Sequence, residues 1–494
     1  MRDSLLSHFV KGTVSIGLGK ALAMALGLAG AMIASRCLAA EDLGQYFLIL
    51  LIAEFLVQIS GFGLFMALPR FIAAEKDEQS LGRLVNTALG FQLGVIVVVG
   101  LLAVLLRAPL AALFGSSPVA GLVLFVPLVF FLQSALRLSQ SALQGFLRWS
   151  RIGASDAITG VTRFVLIVAL VGALRAGLLG LMAAEVGAQV GALAFAYIGI
   201  PVRKRIEIDP DVLNKMLRFG FPLQINDILT IIFSRIDTLI VGVLLGPANV
   251  AYYEIARKVP GMVSQVYIAF RQVYFPLFSE LSLSGERERA SRLLNTSTRL
   301  VSFITALGVL IAALFGREIM ILLFSERYLA SATAFTLLMV GLNLSLIGYT
   351  LGISLVAVGD TNKPPLINIA HTAVSLVGNL TLIPALGIGG AALAGLAGST
   401  VTNPLNVFFL RRRGIDVRVG GYLKPVAILS AHVAAVSVLQ PVTLGQRGLF
   451  VATFLAVSLL LSVVTLDEIA RLLAMIRPAL RRSWRIGPVE DTQG

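Results

Sequence analysis

Eight ionisable side chains fall inside long apolar runs of this 494-residue chain: Lys20, Glu54, Arg163, Glu185, Asp227, Arg235, Asp237 and Arg271. A charge at the middle of a bilayer costs roughly 2.5–3.5 kcal/mol on insertion scales, so such residues face protein or water and not lipid. Their types define the chemistry. A guanidinium fork matches phosphate oxygens two at a time, and an ammonium acts as a point charge. Lys20, Arg235 and Arg271 are therefore the candidate ligands of a phosphate-bearing anion. Glu54, Arg163, Glu185, Asp227 and Asp237 are candidate charge partners within the cavity, and the acids can take up Na+ or a proton. Arg235 and Asp237 stand two residues apart, so on a helix they point to different faces and each needs a partner elsewhere. Interhelical ion pairs that only hold a bundle together are the structural alternative. Asp156, close to the start of its apolar run, reads as interfacial.

The elements that must position these charges are helices. Hydrophobic residues make up 57% of the chain, charged residues only 13%, and mean hydropathy is +0.90. Soluble domains carry about 25% charged residues, so a soluble multidomain enzyme is excluded, and so is disorder. Apolar runs bounded by charge or by Pro and Gly predict fourteen spans, from 12–35 at the start to 446–466 at the end. Continuous runs lack the alternation a membrane barrel needs. The net charge is +14. Lys and Arg concentrate in alternate loops and in both terminal segments, with Arg257 and Lys258 counted among the few on the opposite side. That asymmetry is the positive-inside pattern, which places both termini in the cytoplasm and removes the need for a nucleic-acid partner. Clusters such as Arg411–Arg413 and Arg481-Arg482 serve as topology signals. Met1–Lys11 reads as a cytoplasmic tail leading into the first span. One cysteine, Cys37, and three dispersed histidines offer no disulfide and no metal-ligand spacing. No nucleophile triad and no phosphate-cradling GxxxxGK[ST] loop is present, so neither catalysis nor resident ATP chemistry is expected.

The two halves repeat. Leu38–Tyr46 matches Leu245–Tyr253, Arg83-Leu-Val-Asn-Thr87 matches Arg292-Leu-Leu-Asn-Thr296, and Gly177 and Gly180 match Gly387 and Gly390. The order is the same and the offset drifts slowly. The repeat unit is six helices, an even number, so both copies enter the membrane from one side and form a parallel pseudo-twofold pair. The expected architecture is an all-α integral membrane protein of about fourteen transmembrane helices. A six-helix lobe (1–202), a cytoplasmic linker (203–216), a second six-helix lobe (217–413), two extra helices (414–466) and a basic tail (467–494) make up the chain. Lys20 and Asp227 occupy equivalent positions, which predicts that they face each other across a central cavity.

Several stretches together resemble the Wzx-type polysaccharide flippases, in the superfamily that also holds MATE multidrug exporters and MurJ-type lipid II flippases. They are Leu43-Gly-Gln-Tyr-Phe, Ser60-Gly-Phe-Gly-Leu, Ser234-Arg-Ile-Asp-Thr-Leu-Ile-Val-Gly242, Tyr252-Tyr-Glu-Ile-Ala-Arg-Lys258, Ala357-Val-Gly-Asp-Thr-Asn-Lys363 and Gly387-Ile-Gly-Gly-Ala-Ala392. The resemblance runs over nearly the whole chain. It implies alternating access by two lobes and transport of an oligosaccharide linked to a polyprenyl carrier, usually undecaprenyl pyrophosphate, across the bacterial inner membrane. Lys20 and Arg271 resemble the basic residues such flippases place in spans 1 and 8. The implied partners are membrane lipids, a polysaccharide polymerase and export machinery. No cofactor is implied beyond a coupling Na+ or proton. The first rival is an ion-coupled exporter of a small, cationic compound. It calls for accessible acids, and drug exporters of this superfamily often carry an acid in span 1 where this chain has Lys20. A non-transporting scaffold would lack the internal charges, and a membrane glycosyltransferase would need a long soluble loop.

Overall fold

A computed structural model describes residues 2–106, 108–109, 125–205, 207–440, 442–465 and 468. Among these residues the protein is helical and has no strand. The helices are α1 (Arg2–Cys37), α2 (Ala40–Ser60), α3 (Leu64–Ala74), α4 (Glu78–Leu105), α5 (Phe125–Gly145), α6 (Trp149–Leu166), α7 (Gly177–Ile198) and α8 (Pro210–Leu245). They continue as α9 (Pro247–Leu283), α10 (Arg287–Phe324), α11 (Ser331–Ala357), α12 (Lys363–Leu386), α13 (Ile388–Arg412), α14 (Val419–Leu439) and α15 (Leu444–Leu460). Each of the fourteen expected segments holds a helix. Residues 119–124 of the fourth segment and nearly all of the tail 467–494, Arg481-Arg482 included, lie outside the described residues. Nine of the described helices are long and apolar enough to cross a membrane, or ten if the bent α8 counts as one span.

The chain forms two compact units. The first contains Met1–Met262, Arg317–Phe335 and Val374–Gly395; the second contains Val263–Gly316, Thr336–Ala373 and Leu396–Gly494. In the first unit α1 packs against α6 so closely that a Cβ on Gly19 would stand 2.1 Å from the Gly153 carbonyl oxygen, and one on Gly160 2.5 Å from the Ala23 Cα. Small residues allow that approach, which in lipid replaces the hydrophobic effect as the source of helix association. α6 passes into a π-helical stretch at Ile167–Ala173. In the second unit Tyr274, Phe278, Leu294, Ile347, Leu351 and Leu410 form the centre of an apolar core.

The second expected span, 43–67, is not continuous. It breaks between α2 and α3, where Phe62 (φ 47°) and Gly63 (φ 77°) are left-handed. A side chain at Gly63 would stand 2.1 Å from the Gly220 carbonyl, so only glycine fits. The backbone groups freed by the break are collected by α8: Gly63 N–H donates to Gln224 Oε1 at 2.7 Å, and the Gln224 amide donates to the Gln58 carbonyl.

The repeat landmark Arg-Leu-x-Asn-Thr has a local structural meaning. The Asn86 amide donates to the Arg203 carbonyl (3.0 Å) and its Oδ1 accepts from Arg205 N–H (3.0 Å). The Asn295 amide donates to the Asp416 carbonyl (2.8 Å) and its Oδ1 accepts from Arg418 N–H (2.8 Å). In each half, one asparagine near the start of a helix clamps the backbone of a basic loop, the one after α7 for Asn86 and the one after α13 for Asn295. Replacing either asparagine by alanine removes both bonds. A loss of about 1–3 kcal/mol per site is expected, read as a lowered unfolding midpoint, and larger for Asn86, which is buried, than for the half-buried Asn295.

Candidate functional site

α9 begins beside α2. A Cβ on Gly44 would lie 1.8 Å from the Pro247 carbonyl oxygen, so glycine at 44 lets the helix start press against α2. That approach aligns the charges of α2, α8 and α9. Arg235 of α8 lies between two acids, Glu54 of α2 (3.3 Å) and Glu254 of α9 (3.4 Å). Asp237, two residues on, points elsewhere as expected. It pairs with Arg257 of α9 (3.0 Å) and accepts the Tyr253 hydroxyl (2.7 Å). Thr238 stitches the two pairs together: its hydroxyl donates to Glu254 (2.9 Å) and accepts from Arg257 (2.9 Å). Arg257 also donates to the Ser234 carbonyl (2.9 Å).

A second cluster in the same unit joins α2, α6 and α7. Glu185 is 1% exposed. Arg163 Nε lies 2.8 Å from its Oε2, and Arg163 Nη2 donates to Oε1 at 2.9 Å. The Tyr46 hydroxyl (2.8 Å) and the Gln189 amide (2.6 Å) complete its coordination. Lys258 sits 5.0 Å over the Phe47 ring, and its charge acts on Glu254 and Arg235 on one side and on Arg163 and Glu185 on the other. The combined web sets four cations (Arg163, Arg235, Arg257, Lys258) against four acids (Glu54, Glu185, Asp237, Glu254). It is balanced, which is how a low-dielectric region tolerates charge.

Arg257 and Lys258, counted in a loop, lie within α9, which starts at Pro247 and not near 259. Arg235, which needs a partner off its own helix, finds two carboxylates, Glu54 on α2 and Glu254 on α9. Glu254, Tyr46, Tyr253 and Thr238 were absent from the sequence candidates. Two signals pointed to them. Tyr46 and Tyr253 are equivalent in the repeat, and both hydroxyls donate to an ion-paired carboxylate, Glu185 and Asp237. Glu254 and Arg257 have the i,i+3 spacing of a helical ion pair.

The other candidates stand apart from the web. Lys20 is exposed on α1, beside the tight Gly19–Gly153 crossing, and its charge acts on Asp156 of α6. Asp156 also accepts from the Gln140 amide (2.9 Å), a contact between α5 and α6. The Asp227 charge acts on Arg137, whose guanidinium donates to Gln58 Oε1 and lies 4.8 Å over the Phe65 ring. Asp156 and Arg137 are thus the charged neighbours on which Lys20 and Asp227 act. Arg271 is exposed on α9 in the second unit, where its charge acts on Tyr267. Among the described residues neither Lys20 nor Arg271 makes a hydrogen bond or an ion pair.

The fold is that of known transporters. It is similar to a lipid II flippase MurJ structure in an inward closed conformation, with TM-score 0.71 and 14% identity over 90% of this chain and 99% of that one. It is also similar to an inward-facing multidrug resistance MATE family transporter of the MOP superfamily, with TM-score 0.63 and 16% identity over 79% and 94% of the two chains. In sequence the chain is 24% identical over 181 residues to the probable low-salt glycan biosynthesis flippase Agl15 of Haloferax volcanii. That match spans 36% of this chain and 38% of the relative's length. Residues 33–333, more than half of the chain, match the model of one family, and the protein belongs to that family, the polysaccharide biosynthesis proteins.

Proposed function

We propose that this protein is a flippase that carries a polyprenyl-pyrophosphate-linked oligosaccharide across a bacterial inner membrane for surface polysaccharide assembly. Family membership and the partial match to a glycan biosynthesis flippase support that reading. The observation that carries it is the sign and state of the intramembrane charges. Glu54, Glu185, Asp237 and Glu254 are ion-paired with internal cations, whereas Lys20 and Arg271 are exposed and have no ion pair among the described residues. Exposed cations without an ion pair fit a pyrophosphate. Arg235 joins them by exchanging the half-exposed Glu54, 42% exposed, for a phosphate oxygen. The sugar then crosses with the pyrophosphate while the lipid tail stays in the bilayer, and the two lobes alternate in access. Protonation of Glu54, or Na+ bound there, would free Arg235 and couple the cycle to an ion gradient. A polymerase and export machinery act on the delivered product.

The fold likeness to a multidrug transporter supports a second reading, export of a small cationic compound. One experiment separates the two. In a strain lacking this gene, lipid-linked oligosaccharide is expected to accumulate on the cytoplasmic side, and wild-type protein is expected to clear it. No accumulation together with raised sensitivity to cationic compounds would sink the flippase reading.

A further inference from the structure

A polar cavity of about 650 Å³ opens in the second unit, away from every residue discussed above as a transport ligand. Three helix ends meet around it: the first turns of α10, the first turn of α14, and the turn that follows α15. The lining lies where the apolar stretches of α10 and α14 give way to charged residues, the composition of a membrane–water boundary. Five cations line it, Arg287, Arg292, Arg299, Arg418 and Lys424. Three are satisfied from within: Arg292 pairs with Glu288 (2.9 Å), Arg418 with Asp416 (3.4 Å) and Arg299 with Glu468. Arg287 and Lys424 are exposed and have no ion pair among the described residues. The cavity therefore carries a surplus of two positive charges.

Its wall is built rather than incidental. The Asn295 clamp fixes the backbone of Asp416 and Arg418, and Asp416 N–H donates to the Ser291 hydroxyl (2.9 Å). Those bonds hold the loop that presents α14. The N-cap of α14, Arg418, makes no side-chain capping bond, and the next positions include Gly420 and Gly421. Nothing lies within 4 Å of where their Cβ atoms would be, so the helix start is bare toward open space. Gly421 N–H is taken by the Arg418 carbonyl, which leaves the Val419 and Gly420 amides at the positive dipole end beside cations without an ion pair, the general chemistry of phosphate capture.

We propose that this cavity binds a phosphate oxyanion, carried either on a membrane lipid headgroup or as free phosphate, through Arg287, Lys424 and the start of α14. Basic pockets between helices at a membrane surface are recognition sites for anionic headgroups. This site is separate from the transport ligands, so it stands or falls independently of the flippase reading.

The full-length protein in detergent is titrated with phosphatidylglycerol, phosphatidylcholine and inorganic phosphate, and bound ligand is read by native mass spectrometry. Phosphatidylglycerol is expected to bind and phosphatidylcholine not. Arg287→Gln with Lys424→Gln is expected to weaken binding about 30-fold, from roughly 1 kcal/mol per basic residue near a membrane surface. Both residues are exposed, so the double variant keeps the wild-type unfolding midpoint. Arg287→Lys with Lys424→Arg keeps binding. Displacement of the lipid by inorganic phosphate assigns the phosphate group alone as ligand; lipid binding that phosphate does not displace assigns the headgroup. Equal binding of both lipids would overturn the proposal. So would wild-type affinity in the Gln variant, or an equal loss in Arg289→Gln, an exposed cation on the same helix that does not line the cavity.

Discussion

Glu185→Ala is expected to destabilise the protein by about 3–5 kcal/mol, the range for breaking one side of a buried ion pair. Glu185 is 1% exposed and binds Arg163, Tyr46 and Gln189 at once. Its removal leaves the half-buried Arg163 guanidinium, the buried Tyr46 hydroxyl and the buried Gln189 amide without their shared acceptor. Most of the cost is that stranded charge and not the worth of the pair itself. Glu185→Gln should fall between the two, because it still accepts from Tyr46 but leaves Arg163 uncompensated. Removing both charges together, as Arg163→Met with Glu185→Met, should recover much of the loss. The measurement is the thermal unfolding midpoint of purified protein. If Glu185→Ala unfolds with the wild type, the cluster is not the buried ion pair described here.

Lys20→Ala combined with Arg271→Ala should abolish transport while leaving the fold intact. Hydrogen bonds to a charged group are worth about 1.5–3 kcal/mol each, so each cation accounts for roughly a 10- to 100-fold effect on engagement of a phosphate-bearing substrate. Neither side chain is tied to a structural partner among the described residues, so unfolding should be unchanged. This is the opposite signature to Glu185→Ala, where stability falls first. Lys20→Arg and Arg271→Lys retain charge and should retain much of the activity. The readout is the ratio of outward-facing to total lipid-linked oligosaccharide in cells with matched protein levels. Undiminished translocation by the double alanine variant would remove both residues from the substrate path.

The repeat shows how far a linear pattern reaches. Arg83–Thr87 and Arg292–Thr296 are legible as a recurring string, and the reason for it is the same two-bond clamp made by Asn86 and Asn295. Helix positions were legible because insertion in lipid demands long apolar runs whatever packs beside them. The break at Gly61–Gly63 was not. Its cause is the Gly220 backbone pressing against Gly63 from more than a hundred residues away.

Charge partners were legible only where the helix itself dictates them. The divergence of Arg235 and Asp237 follows from two-residue spacing and holds in three dimensions. Glu254 and Lys258 were hidden because the start of α9 reads as a polar loop when its neighbours are unknown; the contact of Gly44 with Pro247 turns it into an interior helix.

The sequence by itself determined that this is a helical membrane protein, that its halves repeat, and that it spends scarce intramembrane charges on something other than apolar packing. Those conclusions rest on composition, periodicity and desolvation cost, which are properties of segments. Only the tertiary structure decided which charges cancel. Glu54, Glu254, Asp237 and Glu185 neutralise Arg235, Arg257, Arg163 and the neighbourhood of Lys258, and Lys20 and Arg271 stay outside that account. Coulomb energy depends on separation in space and on burial, and neither is written along the chain.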